Sequence, residues 1–355
     1  MKRILLVRLR EIGDVVLTTP AVHAIRCRFP DAHLAYVVEP AAAPVVLSNP
    51  HLDRVIVVPR RRGLGAMAAD LRFGWKLRAE RYDLAIDFHG GPRASLLTWM
   101  SGAPTRIGYE VIGRNWAYTR RIARPRALRP RHSVENQWDL LIPLDIGPPD
   151  RQTFPVEMAP DTAATRDVAE RLLRAEVGLS ERLIVMHVSA GNPFRRWPIE
   201  HFVALVTSLL DRDRLVRVIV TSGPSEADAA DRVVKDSRDR LDEGAARRIL
   251  SCGEFSLSEL RALLERAALY IGGDSGPLHI AATTGVPIVA LYGPTLPARS
   301  APWRNRAFRT ESVEAGTLPC RPCEQRVCEP GDFRCLGRIT PEQVLEAAIR
   351  CLWSR

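Results

Sequence analysis

Nothing in this 355-residue chain is long and apolar enough to span a membrane. The longest weakly polar run, residues 280–294, is interrupted by Thr283, Thr284, Gly285 and Pro287, well short of the ~20 clean apolar residues a spanning helix needs. No signal peptide is expected either: Ile4 to Val7 are only four apolar residues in a row before Arg8, so MKRILLVRLREIGD reads as a buried strand, and the expected compartment is the cytoplasm. No G-x-G-x-x-G follows the first strand of either half, which lowers a nicotinamide reading. Helix-turn-helix, zinc-finger and aromatic RNA-binding signatures are absent, which counts against nucleic acid as a partner. With 46% hydrophobic and 26% charged residues, the chain is neither disordered nor collagen-like.

What is present is an ordered alternation of short apolar runs and helical stretches, the pattern of βα units on a mostly parallel sheet. Strands are expected at 4–9, 34–39, 54–59, 82–88 and 105–109. The same grammar restarts at 183–189, 216–223, 247–252, 269–274 and 287–293. A Pro- and Arg-rich passage at 120–131 reads as a loop, followed by a helix carrying Trp138, Leu140 and Leu141. The length fits two domains, 1–155 and 156–355, the second closing with a helix at 340–353 that has Thr340 as N-cap and Pro341 at its first position. The fold class expected is α/β, two Rossmann-like doubly wound domains facing a central cleft at the carboxyl ends of their strands.

Charge divides unevenly between the halves. Residues 1–160 hold 24 basic and 15 acidic side chains, net +9, which leaves +1 of the total +10 for the remainder. Such asymmetry suits a polyanion or an anionic membrane surface facing the N-terminal half, although an Arg-rich composition throughout would read the same way.

Four local patterns carry chemistry. After the first strand comes Arg8-Leu9-Arg10-Glu11-Ile12-Gly13-Asp14. Gly13 allows close approach of a ligand, and Asp14, at a helix N-terminus that favours its ionised form, is either an N-cap or a general base for an attacking hydroxyl. The turn Gly272 to His279 offers backbone N–H groups of Asp274, Ser275 and Gly276 to a diphosphate; His279 alone reads as a core residue. Arg195 and Arg196 in NPFRRWP can fork onto phosphate oxygens and stabilise a leaving diphosphate, or stand solvated beside Trp197. Four of seven cysteines, Cys320, Cys323, Cys328 and Cys335, lie within 16 residues. Their spacing resembles a zinc site but lacks a second C-x-x-C, so the expectation is no metal cofactor, with zinc left open there.

Together these segments resemble the ADP-heptose:lipopolysaccharide heptosyltransferases, glycosyltransferase family 9, through ILLVRLREIGDVVLTTPAVHAI (4–25), NPFRRWP, GGDSGPLHIAATTGVPIVALYGPT (272–295) and CRPCEQRVCEPGDFRCLGRITPEQV (320–344). The resemblance implies a GT-B fold with an N-terminal acceptor domain and a C-terminal nucleotide-sugar domain. It implies an inverting, metal-independent transfer of heptose from ADP-heptose to the inner core of lipopolysaccharide, in a cytoplasmic protein peripheral to the inner membrane. Asp14 becomes the base and Arg195 the leaving-group stabiliser, where family members often carry Lys. Gly13, Arg196, Glu226, Asp274, Ser275, Gly276 and His279 become donor contacts, Glu226 towards the ribose. Arg60, Arg61, Arg62, Arg120 and Arg121 become contacts to the anionic lipid A and core acceptor. The alternatives are a family-9 transferase with another nucleotide-sugar or acceptor, a GT-B-shaped sugar-nucleotide epimerase, and a non-enzymatic polyanion-binding protein.

Overall fold

The computed structural model describes residues 1–59, 63, 65–123, 131–188, 191–323 and 325–353. They form two compact units, Met1–Ala159 and Pro160–Arg355. Unit 1 contains β1 (Arg3–Val7), β2 (His33–Val38), β3 (Arg54–Val57), β4 (Leu84–Asp87), β5 (Thr105–Tyr109) and β6 (Arg120–Ile122), in the order β3-β2-β1-β4-β5-β6. Unit 2 contains β7 (Arg182–His187), β8 (Val216–Thr221), β9 (Ile249–Leu250), β10 (Leu269–Gly273), β11 (Ile288–Tyr292) and β12 (Thr310–Glu314). Their order is β12-β11-β10-β7-β8-β9. Every pairing is parallel, and each sheet reads 3-2-1-4-5-6 by its own strands.

Helices on both faces of a parallel sheet bury the central strands completely, which is why their sequences are continuous apolar runs rather than alternations. Ile4 to Val7 and Ile184 to Met186 are fully inaccessible. In unit 1, Leu5, Val7, Ala35 and Val37 pack with Leu77 of helix Gly65–Ala79 and with Ala94 and Leu97 of helix Pro92–Met100. In unit 2, Ile184, Met186 and Ile271 share a core with Phe202, Val206 and Leu209 of helix Ile199–Arg212 and with Val344, Ala347 and Ala348 of helix Pro341–Trp353. That helix starts as its sequence foretold: the Thr340 N–H donates to Gln343 Oε1 at 3.0 Å and the Gln343 N–H to Thr340 Oγ1 at 3.3 Å, a reciprocal capping box.

Three expectations need correction. The 120–131 passage is not all loop, because Arg120–Ile122 adds to the sheet as β6, pairing with Ile107 to Tyr109; residues 124–130 lie outside the described ones. The helix with Trp138 stops there, and Leu140 and Leu141 fall in a 3-10 stretch, Asp139–Leu144. A twelfth strand, Thr310–Glu314, was not anticipated: only Val313 of TESVE is buried, so this edge strand carries almost no apolar signal. Among the described residues, no helix is long and apolar enough to cross a membrane.

In open parallel sheets, ligands bind beyond the carboxyl ends of the strands where the strand order reverses. That point lies between β1 and β4 in unit 1 and between β7 and β10 in unit 2. The segments following these four strands carry Asp14, His89, Arg195 and Asp274.

Candidate active site

At the unit 1 switch point, β1 runs into a short helix, Ile12–Val16, whose N-cap is Glu11. Asp14 is therefore not a cap. Its carboxylate pairs with Arg8, whose side chain is 11% exposed against 42% for Asp14. Arg8 is itself fixed, since Nη1 donates to the Phe88 carbonyl after β4 at 2.5 Å. The acid is thus oriented from behind by a largely covered cation and is partly open to solvent. Gly13 is helical and sits beside it in unit 1.

The β4 turn supplies a second polar layer. Asp87 is fully buried and accepts from the Tyr118 hydroxyl at 2.6 Å and from the His89 and Gly90 amides at 2.8 Å each. Burial pushes its carboxyl above the usual range in spite of these bonds. Gly90 has φ +67°, a conformation that favours glycine. His89 Nδ1 donates to the Arg10 carbonyl at 3.2 Å, and burial together with the Arg8 charge lowers its pKa. Of these groups His89 and Arg10 border a cavity of about 160 Å3 lined also by Glu39, Asp70 and Arg93. Arg93 reaches Glu39 and Asp70 at 2.7 Å each, so its charge is neutralised in place. None of Arg8, His89 or Arg93 was nominated from the sequence.

The unit 2 switch point reverses the arrangement. Asp274, 4% exposed, accepts from Thr295 Oγ1 at 2.6 Å and lies 3.5 Å from Arg195 Nη1 and 3.7 Å from His279 Nε2. Arg195 also donates to the Asp274 carbonyl at 3.0 Å, yet remains 31% exposed. Gly273 makes this contact fit, as a Cβ there would sit 3.1 Å from the Arg195 carbonyl oxygen. Arg196, 43% exposed, pairs with buried Glu226 at 2.5 Å. Glu226 ends the 3-10 turn Pro224–Glu226 after β8. Ser275 and Gly276 are part-exposed at the start of helix Gly276–Ala281, whereas His279 is buried behind them.

Thus Arg195, Arg196, Glu226, Asp274, Ser275, Gly276 and His279 come together in unit 2, and Asp14 and Gly13 in unit 1. Arg120 and Arg121 are exposed on β6, two strands from β4 and so away from the Asp14 crevice. Arg60, Arg61 and Arg62 lie outside the described residues. Thr295 and Gln325 were missed as partners of Asp274 and Arg195. The LYGPT segment that holds Thr295 was the one available signal.

A further cavity, of about 310 Å3, opens at the ends of β7, β8 and β9, with Val220, Ala230, Leu250 and Phe255 among its walls. His187 in its lining is pushed down to about 4 by burial, so the ring is uncharged at neutral pH. Among the described residues, one trio of ligating side chains, His23, His51 and Glu157, approaches within 4.8 Å. The two rings stack 3.9 Å apart at 14°, so their in-plane lone pairs run side by side and do not converge on an ion. The trio is better described as a carboxylate shared by two histidines, at 3.0 and 3.1 Å.

Two parallel six-stranded α/β units, each with a polar switch point, are the components of the GT-B fold. The sequence profile of glycosyltransferase family 9 (heptosyltransferase) matches residues 71–331, and the chain belongs to that family. It is a glycosyltransferase and not merely a polyanion binder. A lipopolysaccharide heptosyltransferase 3 of Escherichia coli is 26% identical over 318 residues, covering 88% of this chain and 90% of that protein. Lipopolysaccharide heptosyltransferase 1 of Pseudomonas aeruginosa is 28% identical over 337 residues, with coverage of 92% and 87%. Among solved structures, a family 9 glycosyl transferase from Veillonella parvula matches with TM-score 0.84 at 24% identity, over 99% of this chain and 97% of that one. The E. coli heptosyltransferase WaaC with ADP matches with TM-score 0.70 at 20% identity, over 98% and 99%.

Proposed function

We propose that the enzyme transfers heptose from ADP-heptose to the inner core of lipopolysaccharide, with inversion and with no metal in the transfer step. The observation that carries this reading is the contrast between a part-exposed acid backed by a less exposed arginine in unit 1 and two part-exposed arginines backed by buried acids in unit 2. The names of the relatives supply the sugar and the acceptor.

Asp14 takes the proton of the acceptor hydroxyl as its oxygen attacks the anomeric carbon. The bond from that carbon to the diphosphate breaks, and the electron pair leaves with ADP. Attack opposite the leaving group in one displacement inverts the centre. Arg195 and Arg196 meet the charge growing on the diphosphate, the service a metal ion gives elsewhere. Ser275 and Gly276 border the same anion, while Asp274 and His279 hold the turn from beneath. Glu226, with one oxygen on Arg196, accepts from a ribose hydroxyl, and the 310 Å3 cavity with its neutral His187 receives the nucleoside. The +9 half, with Arg120 and Arg121, and Arg60 to Arg62 outside the described residues, meets the phosphorylated acceptor at the cytoplasmic face of the inner membrane.

The test is mass-spectrometric detection of heptose added from ADP-heptose to lipid A bearing two octulosonic acids, or to the same acceptor already carrying a heptose. The reading expects transfer by the wild type and none by Asp14→Asn, which still binds ADP. Binding of ADP-sugars without transfer to either acceptor overturns the acceptor assignment, and no binding of any ADP-sugar overturns the function.

A further inference from the structure

We propose that Cys320, Cys323, Cys328 and Cys335 form a tetrathiolate site for a thiophilic divalent metal ion, zinc by preference, and that this ion fixes the loop that positions Arg195. The second half rests on the donor role proposed for Arg195; the first does not.

All four cysteines are free and part-buried, and all four line one cavity of about 400 Å3. Their spacing, C-x2-C-x4-C-x6-C, supplies four soft ligands from one short stretch, a donor set that selects zinc and similar ions over hard cations. Four thiolates around a divalent ion leave a net charge of −2. Arg326 and Arg334 line the same cavity on its cationic side, Arg334 paired with Asp332 at 2.9 Å, and Glu329 is the acidic residue in the lining. Binding exchanges four S–H bonds for four S–metal bonds and releases the protons to solvent.

Tetrahedral zinc, with bonds of about 2.3 Å, requires sulfur atoms about 3.8 Å apart. No three of these thiols lie within 4.8 Å of one another. Metal entry therefore draws the loop inward, coupling binding to local folding.

Gln325, between the second and third cysteines, makes that movement consequential. It holds a left-handed backbone, φ 59°, which a non-glycine residue adopts only when its surroundings enforce it. Its Oε1 accepts from Arg195 Nε at 2.6 Å and from Asn192 Nδ2 at 3.0 Å. Phe194 adds an edge contact to Phe333, with ring centroids 5.2 Å apart. A loop locked through its cysteines thus sets the guanidinium that reaches Asp274. Gln325 is a positioning residue, not a catalytic one.

The experiment is elemental analysis of the full chain purified without chelator, with cobalt uptake followed by its thiolate charge-transfer absorption. About one ion per chain is expected, reduced at least fivefold in Cys323→Ser and Cys328→Ser. Gln325→Ala is expected to keep the ion while kcat falls about tenfold and the donor KM changes less than about twofold. A folded wild type that neither carries zinc nor takes up cobalt overturns the site, as does metal content unmoved by both serine variants. Gln325→Ala with wild-type kcat overturns the coupling alone. Bound metal with no transfer to any acceptor leaves the site standing and overturns the proposed function instead.

Discussion

The two units share one strand order and place opposite chemistry at the same topological position. Each ties the segments after its first and fourth strands together with an arginine: Arg8 to the Phe88 carbonyl in unit 1, Arg195 to the Asp274 carbonyl in unit 2. In unit 1 the arginine is the less exposed partner and the acid is shown to solvent; in unit 2 the acid is buried and the arginine is shown. The fold supplies the crevice, and which partner of the ion pair is sunk into the protein decides whether that crevice offers a proton acceptor or an anion site. Burying one member is what holds the other in a fixed direction, because a buried charge must keep its partner.

The sharpest way to break this comparison is Asp14→Asn, which keeps shape and removes the base. Steady-state kinetics should show kcat lowered about 10³-fold, within the range for loss of a general base, with ADP affinity by calorimetry unchanged. A comparable loss of ADP binding would mean that Asp14 serves the donor.

Acid probes unit 2 through His187 at the end of β7. Its folded pKa, about 4, lies below the ordinary 6.5, so the native state binds fewer protons and stability falls as pH drops through that window. The full shift corresponds to about 3 kcal/mol. Urea unfolding of the wild type at pH 7 and pH 4 should lose about that much more than His187→Asn does. Equal losses would assign the acid sensitivity elsewhere.

Asp274→Ala tests whether the buried acid of unit 2 is structural. Thr295 loses its acceptor and Arg195 its paired carboxylate, which should cost about 2 kcal/mol in urea unfolding, with kcat also reduced although Gln325 and the Asp274 carbonyl still hold Arg195. Unchanged stability with reduced kcat would instead make Asp274 a direct ligand contact.

The smallest effect is expected at the sheet edge. Arg120→Glu with Arg121→Glu should raise the acceptor KM about twofold at low salt and less at 0.15 M, where exposed charges are screened, and leave the donor KM alone. A larger effect would extend the acceptor surface from the Asp14 crevice to β6.

Much of this was readable before any coordinates. Buried parallel strands announce themselves as apolar runs, and the switch-point segments follow directly from where those runs end, which is how Asp14, Arg195 and Asp274 were found. What escaped depends on long-range pairing. Gln325 meets Arg195 across 130 positions and Thr295 meets Asp274 across 21, and no local pattern encodes either. β12 escaped because an edge strand with one buried side chain has no periodicity to read. β6 was hidden by arginines, which suit an exposed edge as well as a loop.

The all-parallel sheets also bear on how the chain is made. With no hairpin among the described strands of either sheet, each strand must wait for a crossover before it finds its neighbour. Unit 1 has everything it needs once residue 159 has emerged, whereas the core of unit 2 is incomplete until Val344 to Cys351 arrive to cover β10 and β11. At ribosomal rates of ~5–20 residues per second, that leaves an interval on the order of ten seconds or more in which a finished first half is tethered to an uncovered apolar sheet. A nascent chain stalled there is a natural client for chaperones, and deletion from Pro341 onward should make the chain aggregate.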